Sequence, residues 1–251
     1  MATALIRQVP KCFDRALVRE GRPAIDVELA RRQHDEYRRR LEEAGYTIEV
    51  VPPDESHPDC VFVEDTAVIV GSVALITRPG APERRGETEP VAAALSGFPL
   101  VRVNAPATID GGDVLTAGDT LYVGRSSRTN DGGIGQLRAV ASDQGFGVIV
   151  VDVHDTLHLK SAVLPVDAET VVVTRGAVDE EKLADFRIVY ESDSEPHRFS
   201  ALPLRDGTVL VTASAPATAA RVVALGHRVV PIDVSQIQAA DGGLTCMAVL
   251  F

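Results

Sequence analysis

Tryptophan is absent from this 251-residue chain, aromatic residues make up only 4% of it, and cysteine occurs three times. With so few large rings, aliphatic packing has to build the core. The cysteines, Cys12, Cys60 and Cys246, are odd in number and far apart, with no CxxC pair and no paired-histidine partner set. That spacing argues against a disulfide framework and against a structural zinc site. Long apolar runs are missing as well. Nothing approaches a membrane span, and Met1–Phe13 is broken by Arg7, Pro10 and Lys11 before it could serve as a signal stretch. The expected address is the cytoplasm. Positive charge is the minority, 25 Lys+Arg against 36 Asp+Glu for a net charge of −11. That balance argues against nucleic acid or another polyanion as partner, and it is compatible with a cationic small substrate. No Pro/Ser-rich or charge-blocked linker divides the chain, and its 45% apolar content is enough for a sizeable core. Residues 1–251 are therefore read as a single domain.

What is present is a regular alternation of helix and strand signals, which points to an α/β fold. The clearest helix is Val27–Ala44, with Val27, Ala30, His34, Tyr37, Leu41 and Ala44 at spacings of three and four, Asp26 as N-cap and Gly45 as stop. Glu87–Leu95, Gly132–Gln144, Asp179–Phe186 and Pro216–Leu225 are further helical candidates. Short β-branched runs lie between them, among them Phe62–Val70, Val73–Thr77, Val171–Thr174 and Thr208–Thr212. Thr66–Val70 and Val73–Thr77 flank a tight Gly71-Ser72 turn, and a helix and a single strand follow. The same order recurs from Val114, from Ser161 and from Phe199. A fifth unit needs both chain ends, with Cys246–Phe251 pairing Thr3–Gln8 ahead of the Val27 helix and Thr47–Val51. Five ββαβ units at a period of about 45–50 residues predict a closed radial repeat, a five-bladed propeller. Equivalent first-strand starts fall at Glu64/Asp65, Gly112/Asp113, His158, Ala201 and Cys246. In a closed ring these ends meet at one central channel, and Asp110 comes with them.

Those positions carry chemistry. A cysteine at a strand start reads equally as a small buried hydrophobe or as a nucleophile; the repeat alignment of Cys246 with His158 and the carboxylates favours the second. His158, between Leu157 and Leu159, is either a satisfied core histidine or a partly desolvated proton carrier. The other histidines, His34, His57, His154, His197 and His227, read as helix-face or loop residues. Asp110-Gly111-Gly112-Asp113 is either an ordinary turn or a carboxylate held against an imidazole, with the glycines permitting close backbone approach. Asp59, Glu64 and Asp65 flank the apolar Val61-Phe62-Val63, where carboxylates are costly unless they face a cation. Arg84-Arg85 and Arg125/Arg128 follow the second strands of successive repeats. They are either surface charges or a clamp for a substrate carboxylate.

Six motifs in order, Phe62-Val63-Glu64-Asp65, Thr77-Arg78-Pro79-Gly80-Ala81-Pro82 with Arg84-Arg85, Asp110-Gly111-Gly112-Asp113-Val114, Arg128-Thr129-Asn130, Leu157-His158-Leu159-Lys160-Ser161 and Asp241-Gly242-Gly243-Leu244-Thr245-Cys246, cover essentially the full chain. In them the sequence resembles the dimethylarginine dimethylaminohydrolases of the guanidine-modifying (pentein) superfamily. The resemblance implies a five-bladed ββαβ propeller, a hydrolase releasing citrulline and a methylamine from Nω-methylated arginines, and no cofactor. It implies Cys246 as nucleophile, His158 as general acid/base and Asp110 as its support. It also implies that Asp65 and Asp59 bind the guanidinium with Glu64 at the border, and that Arg84 and Arg128 take the carboxylate. Leu17, in a lid, and the Ala240 backbone would meet the α-amino end. The expected partner is the methylated arginine alone, with no membrane; the family includes dimers, so a homodimer is compatible. Arginine deiminases, which usually carry extra helical sequence, agmatine deiminases, whose substrate lacks a carboxylate, and a non-catalytic ribosome-binding propeller are the competing readings.

Overall fold

The structure is a computed structural model describing residues 2–18, 22–195 and 198–251, so His197 lies outside the described residues. Its strands form five three-stranded sheets. Blade one joins Ala67–Val70, Val73–Ile76 and Leu100–Arg102, and blade two joins Val114–Ala117, Thr120–Arg125 and Gly147–Asp152. Blade three is Val163–Pro165, Thr170–Val173 and Arg187–Tyr190; blade four is Ala201–Pro203, Thr208–Thr212 and Arg228–Ile232. In each, the first strand runs antiparallel to the second and the second parallel to the third. Blade five is assembled from both ends of the chain. Ala4, Leu5 and Ile6 pair antiparallel with Leu250, Val249 and Ala248, while Thr3–Arg7 runs parallel to Thr47–Val51. The parallel step needs a crossover, which is why a helix or turn separates second and third strands in every blade. The five first strands line one cavity of about 220 Å³, to which they contribute Val68, Leu115, Pro165, Leu202 and Val249. The repeat is therefore closed around a common axis, as the spacing predicts. Among the described residues no helix is long and apolar enough to cross a membrane.

The helix Val27–Glu43 begins where expected because the Asp26 carboxylate accepts the Leu29 N–H at 2.9 Å, a cap worth about 1 kcal/mol. Gly45, at φ 86°, ends it. Of its buried residues, Ala30, Tyr37 and Leu41 share one core cluster with Ile6 and Ala248 of blade five and with Leu210 and Ile232 of blade four. Burial lowers His34 to about 4, so it is a neutral core histidine, in line with its helix-face reading.

Two local expectations are corrected, and one helix is added. The run Phe62–Val70 is not one strand: Val63–Thr66 forms a single 3₁₀ turn ahead of Ala67–Val70. In a strand Glu64 and Asp65 would face opposite sides, whereas the turn buries both, and the Thr66 hydroxyl closes it by donating to the Val63 carbonyl at 2.6 Å. The predicted helix Asp179–Phe186 is reduced to a 3₁₀ turn at Glu180–Leu183, of which only Leu183 is buried. One apolar anchor does not supply the stripe a helix needs. A short helix at Ser235–Ala239 escapes the sequence reading because five residues are too few to show a period.

Candidate active site

Four of the five first strands are preceded by a 3₁₀ turn, at Val63–Thr66, Gly111–Asp113, Leu159–Ser161 and Thr245–Met247. The first of these turns packs against the second and the fourth, and the second packs against the third. Their convergence brings together residues scattered from position 59 to position 246.

Asp65, Asp110 and His158 each place a polar atom within 4.8 Å of the others, and all three are buried. His158 Nε2 lies 2.9 Å from Asp110 Oδ2, and Nδ1 lies 3.9 Å from Asp65 Oδ1. The carboxylates are themselves held. Asp110 Oδ1 accepts the Gly80 N–H at 2.8 Å, Asp65 Oδ1 accepts the Gly112 N–H at 2.9 Å, and Asp65 Oδ2 accepts Arg84 Nη1 at 2.5 Å. Burial by itself would lower the imidazole, but Asp65 and the Asp110 hydrogen bond outweigh it and lift His158 to about 9. Burial would raise Asp65; the His158 and Arg84 charges hold it down at about 2. At neutral pH His158 is thus held as an imidazolium beside the Asp65 carboxylate.

The glycines of Asp110-Gly111-Gly112-Asp113 are required by close approach. A Cβ at Gly111 would sit 2.0 Å from the Glu64 carbonyl, and one at Gly112 would sit 2.7 Å from both Asp65 Oδ1 and His158 Nδ1. We expect Gly112→Ala to cost about 1–3 kcal/mol through overpacking, read as a lowered Tm; an unchanged melt would mean the imidazole has room to shift.

Beside this cluster, Cys246 lies at the wall of a pocket of about 240 Å³ shared with Lys160, Ser200, Arg198, Gly243 and Asp241. His158, Asp65 and Asp110 are buried next to that pocket rather than lining it. The Gly243 N–H donates to Cys246 Sγ at 3.3 Å. Burial, then the charges of Glu64 and Asp65, push the thiol up to about 12. Arg22, just ahead of the first helix, pairs with Asp241 at the pocket rim. On the inner side, Glu64 accepts Lys160 Nζ at 2.7 Å and the Thr245 hydroxyl at 3.0 Å. Lys160 and Thr245 line both this pocket and the cavity behind it, so the trio forms a floor between them.

The remaining predicted site residues are distributed unevenly. Arg84 is buried, with Nε and Nη2 on Glu87, Nη1 on Asp65, and Nη2 also on the Phe62 and Asp59 carbonyls. At most one of its N–H groups is left for a substrate. Arg128 is different: its Nη1 is 3.9 Å from Asp110 Oδ2 and is a buried donor with no hydrogen-bond acceptor among the described residues. Asp59 is buried and accepts the Leu17 N–H on both oxygens, at 3.2 and 3.1 Å, while the Leu17 side chain is 42% exposed. Burial raises Asp59, opposed by Arg84 and Arg128. Ala240 follows the short helix, its N–H donating to the Ile237 carbonyl and its side chain in the core. Glu64 spends its carboxylate on Lys160 and Thr245. Sequence reasoning missed Lys160, Thr245 and Asp113 as members of the site, although all lie inside motifs it singled out. Cys12 and Cys60 are buried, and both of their sulfurs turn to the Asp54 carbonyl rather than to the Asp65, Asp110 and His158 cluster. His57, His154 and His227 each pair with an aspartate, Asp54, Asp179 and Asp167 respectively.

Residues 54–199 match the arginine deiminase family model. The chain is 40% identical over 250 residues to the N(G),N(G)-dimethylarginine dimethylaminohydrolase of Streptomyces coelicolor, covering 98% of this chain and 95% of that protein. It is 34% identical over 234 residues to the enzyme of the same name from Pseudomonas aeruginosa, covering 92% and 91%. A solved structure from Pseudomonas aeruginosa, a cysteine-to-serine variant complexed with citrulline, superimposes with a TM-score of 0.93 at 31% identity, covering 99% of this chain and 98% of that one.

Proposed function

The chain belongs to the dimethylarginine dimethylaminohydrolase family, hydrolases acting on the C–N bonds of linear amidines, and from that premise we propose that it converts Nω-methylated arginines to citrulline and a methylamine with Cys246 as nucleophile. The observation that carries this reading is the His158 imidazole, held at 2.9 Å by Asp110 in the same group of converging turns that presents Cys246.

Asp65 and Asp59 receive the substrate guanidinium, and Arg128, with its unmatched donor, takes the carboxylate. Leu17 and the Ala240 backbone close over the α-amino end. Arg84 acts through Asp65, and Glu64 through Lys160 and Thr245. In the free protein Cys246, pushed to about 12, is a thiol while His158, at about 9, is charged. A guanidinium beside the sulfur lowers the thiol pKa, so the substrate itself generates the thiolate, the thiol proton passing to solvent. The thiolate sulfur bonds to the guanidinium carbon. His158 Nε2 is committed to Asp110, so Nδ1 delivers the proton to the departing nitrogen, and the C–N bond breaks with its electron pair leaving on the amine. The S-alkylthiouronium that remains is attacked by water, whose proton returns to Nδ1. Collapse breaks the C–S bond with its electron pair leaving on sulfur, and the remaining hydroxyl proton passes to solvent, freeing citrulline and the thiolate.

The test is citrulline release by purified protein from asymmetric dimethylarginine, monomethylarginine and arginine. Turnover of the methylated substrates supports the assignment. Turnover of arginine alone moves the protein to deiminase chemistry, and no citrulline from any of the three overturns the substrate class.

A further inference from the structure

Asp113 takes no part in the reaction above, yet it is 0% exposed and sits three residues from Asp110 on the same turn. Resting on the functional reading just given, we propose that Asp113 is a positioning residue: one buried carboxylate that locks the turn carrying His158 to the loop carrying Arg128.

Its two oxygens face two different elements. Oδ1 accepts the Leu159 N–H at 2.8 Å, fixing the backbone immediately after His158. Oδ2 accepts the Ser126 hydroxyl at 2.6 Å. Ser126 Oγ in turn accepts the Arg128 and Thr129 N–H groups at 3.0 and 3.2 Å, which shapes the loop that aims Arg128. Thr129 Oγ1 accepts the Asp110 N–H at 3.1 Å, so the network returns to the residue that holds the imidazole. Every partner of Asp113 is a donor, and an acceptor-only carboxylate satisfies them without leaving a buried group unmatched. Gly124 supports the same packing, since a Cβ there would lie 2.6 Å from Asp113 Oδ1 and 2.9 Å from Leu159 Cβ.

The carboxylate also contributes charge. The groups facing His158 are Asp65, Asp110 and Asp113, with Arg84 on the far oxygen of Asp65 and Arg128 near Asp110 Oδ2; Glu64 and Lys160 are paired with each other, and Cys246 lies beside them. Burial raises Asp113, and the His158 charge opposes that shift. The interaction is mutual, so a negative Asp113 helps His158 keep the proton it gives to the leaving nitrogen.

Asp113→Asn removes the charge with little change in shape. The expected result is a His158 ring that titrates about half a unit to one unit lower by NMR, with a matching downward move of the basic limb of kcat/KM against pH. We also expect kcat to fall about tenfold or more through misplacement. Ser126→Ala keeps the Asp113 charge but removes the hydroxyl that shapes the Arg128–Thr129 loop, and it raises KM severalfold with the His158 titration moved far less than in Asp113→Asn. An Asp113→Asn protein that folds with an unshifted His158 titration overturns the proposal, as does a Ser126→Ala protein with wild-type KM. If Asp113→Asn does not fold, the Ser126→Ala KM decides. Failure of the wild type to release citrulline from methylarginine would instead sink the functional reading, while the NMR titration still reports on Asp113.

Discussion

Replacing Cys246 by serine is expected to lower kcat/KM for methylarginine by at least about 10³-fold while leaving the fold and substrate binding intact. The substitution is nearly isosteric, and the Gly243 N–H still finds an acceptor, so the Asp241-Gly242-Gly243 approach to the final strand has no reason to change. What is lost is ionisation. A hydroxyl is activated when a neutral imidazole accepts its proton, as in serine hydrolases. Here the imidazole is already protonated near neutral pH, lifted to about 9 by its carboxylates. No other buried base in the cluster is unengaged, since Asp65, Asp110 and Glu64 are all hydrogen-bonded. A thiol ionises under the field of a bound guanidinium, whereas an alcohol, several units weaker as an acid, does not. Citrulline assays paired with calorimetric binding of dimethylarginine measure both halves. Retention of more than a few per cent of turnover, or loss of binding equal to loss of rate, would show that Cys246 is not the nucleophile.

The second large effect concerns stability. Arg84→Met is expected to destabilise the protein by about 3–5 kcal/mol, because it strands two buried carboxylates, Asp65 and Glu87, without their shared cation. For a chain of this size that corresponds to a Tm lower by roughly 6–20 °C. Lysine does not substitute, since one ammonium cannot serve Asp65, Glu87 and the two carbonyls that the planar guanidinium spans. The pH dependence follows from Asp65. Its carboxyl is held at about 2, below the ordinary 3.8, so it contributes stability that is present above pH 3.8 and lost as pH falls toward 2. Arg84→Met removes part of that contribution, and acid unfolding begins at higher pH. A variant with near-normal Tm and acid tolerance but a large rise in KM would return Arg84 to the carboxylate-clamp role that its motif implies.

The contrast between Arg84 and Arg128 shows where sequence reading stops. Both occupy comparable repeat positions and look alike as a pair of candidate clamps. In the fold, one is enclosed by Glu87 and Asp65, and the other keeps a buried donor unmatched. Glu64 shows the same thing: its placement after an apolar run suggested a cation partner, and the cation is Lys160 of the protein, 96 positions away.

The period, by contrast, was legible. Alternating apolar runs, tight Gly turns and amphipathic helices are local signals that depend on neighbours within a few residues. Five blades, their strand order and the closure of the ring by Thr3–Arg7 against Ala248–Leu250 followed from them. So did the meeting of Asp65, Asp110 and His158 at one end of the channel, once the repeat was aligned. The tertiary structure alone decided the 3₁₀ turns ahead of the first strands, the loss of the third-blade helix, and the pairing of Glu64 with Lys160 and Thr245 and of Asp113 with Leu159 and Ser126. Those partners are separated by 13 to 181 positions. Which donor satisfies a buried carboxylate depends on ångström-scale proximity after folding, and no local pattern in the chain encodes it.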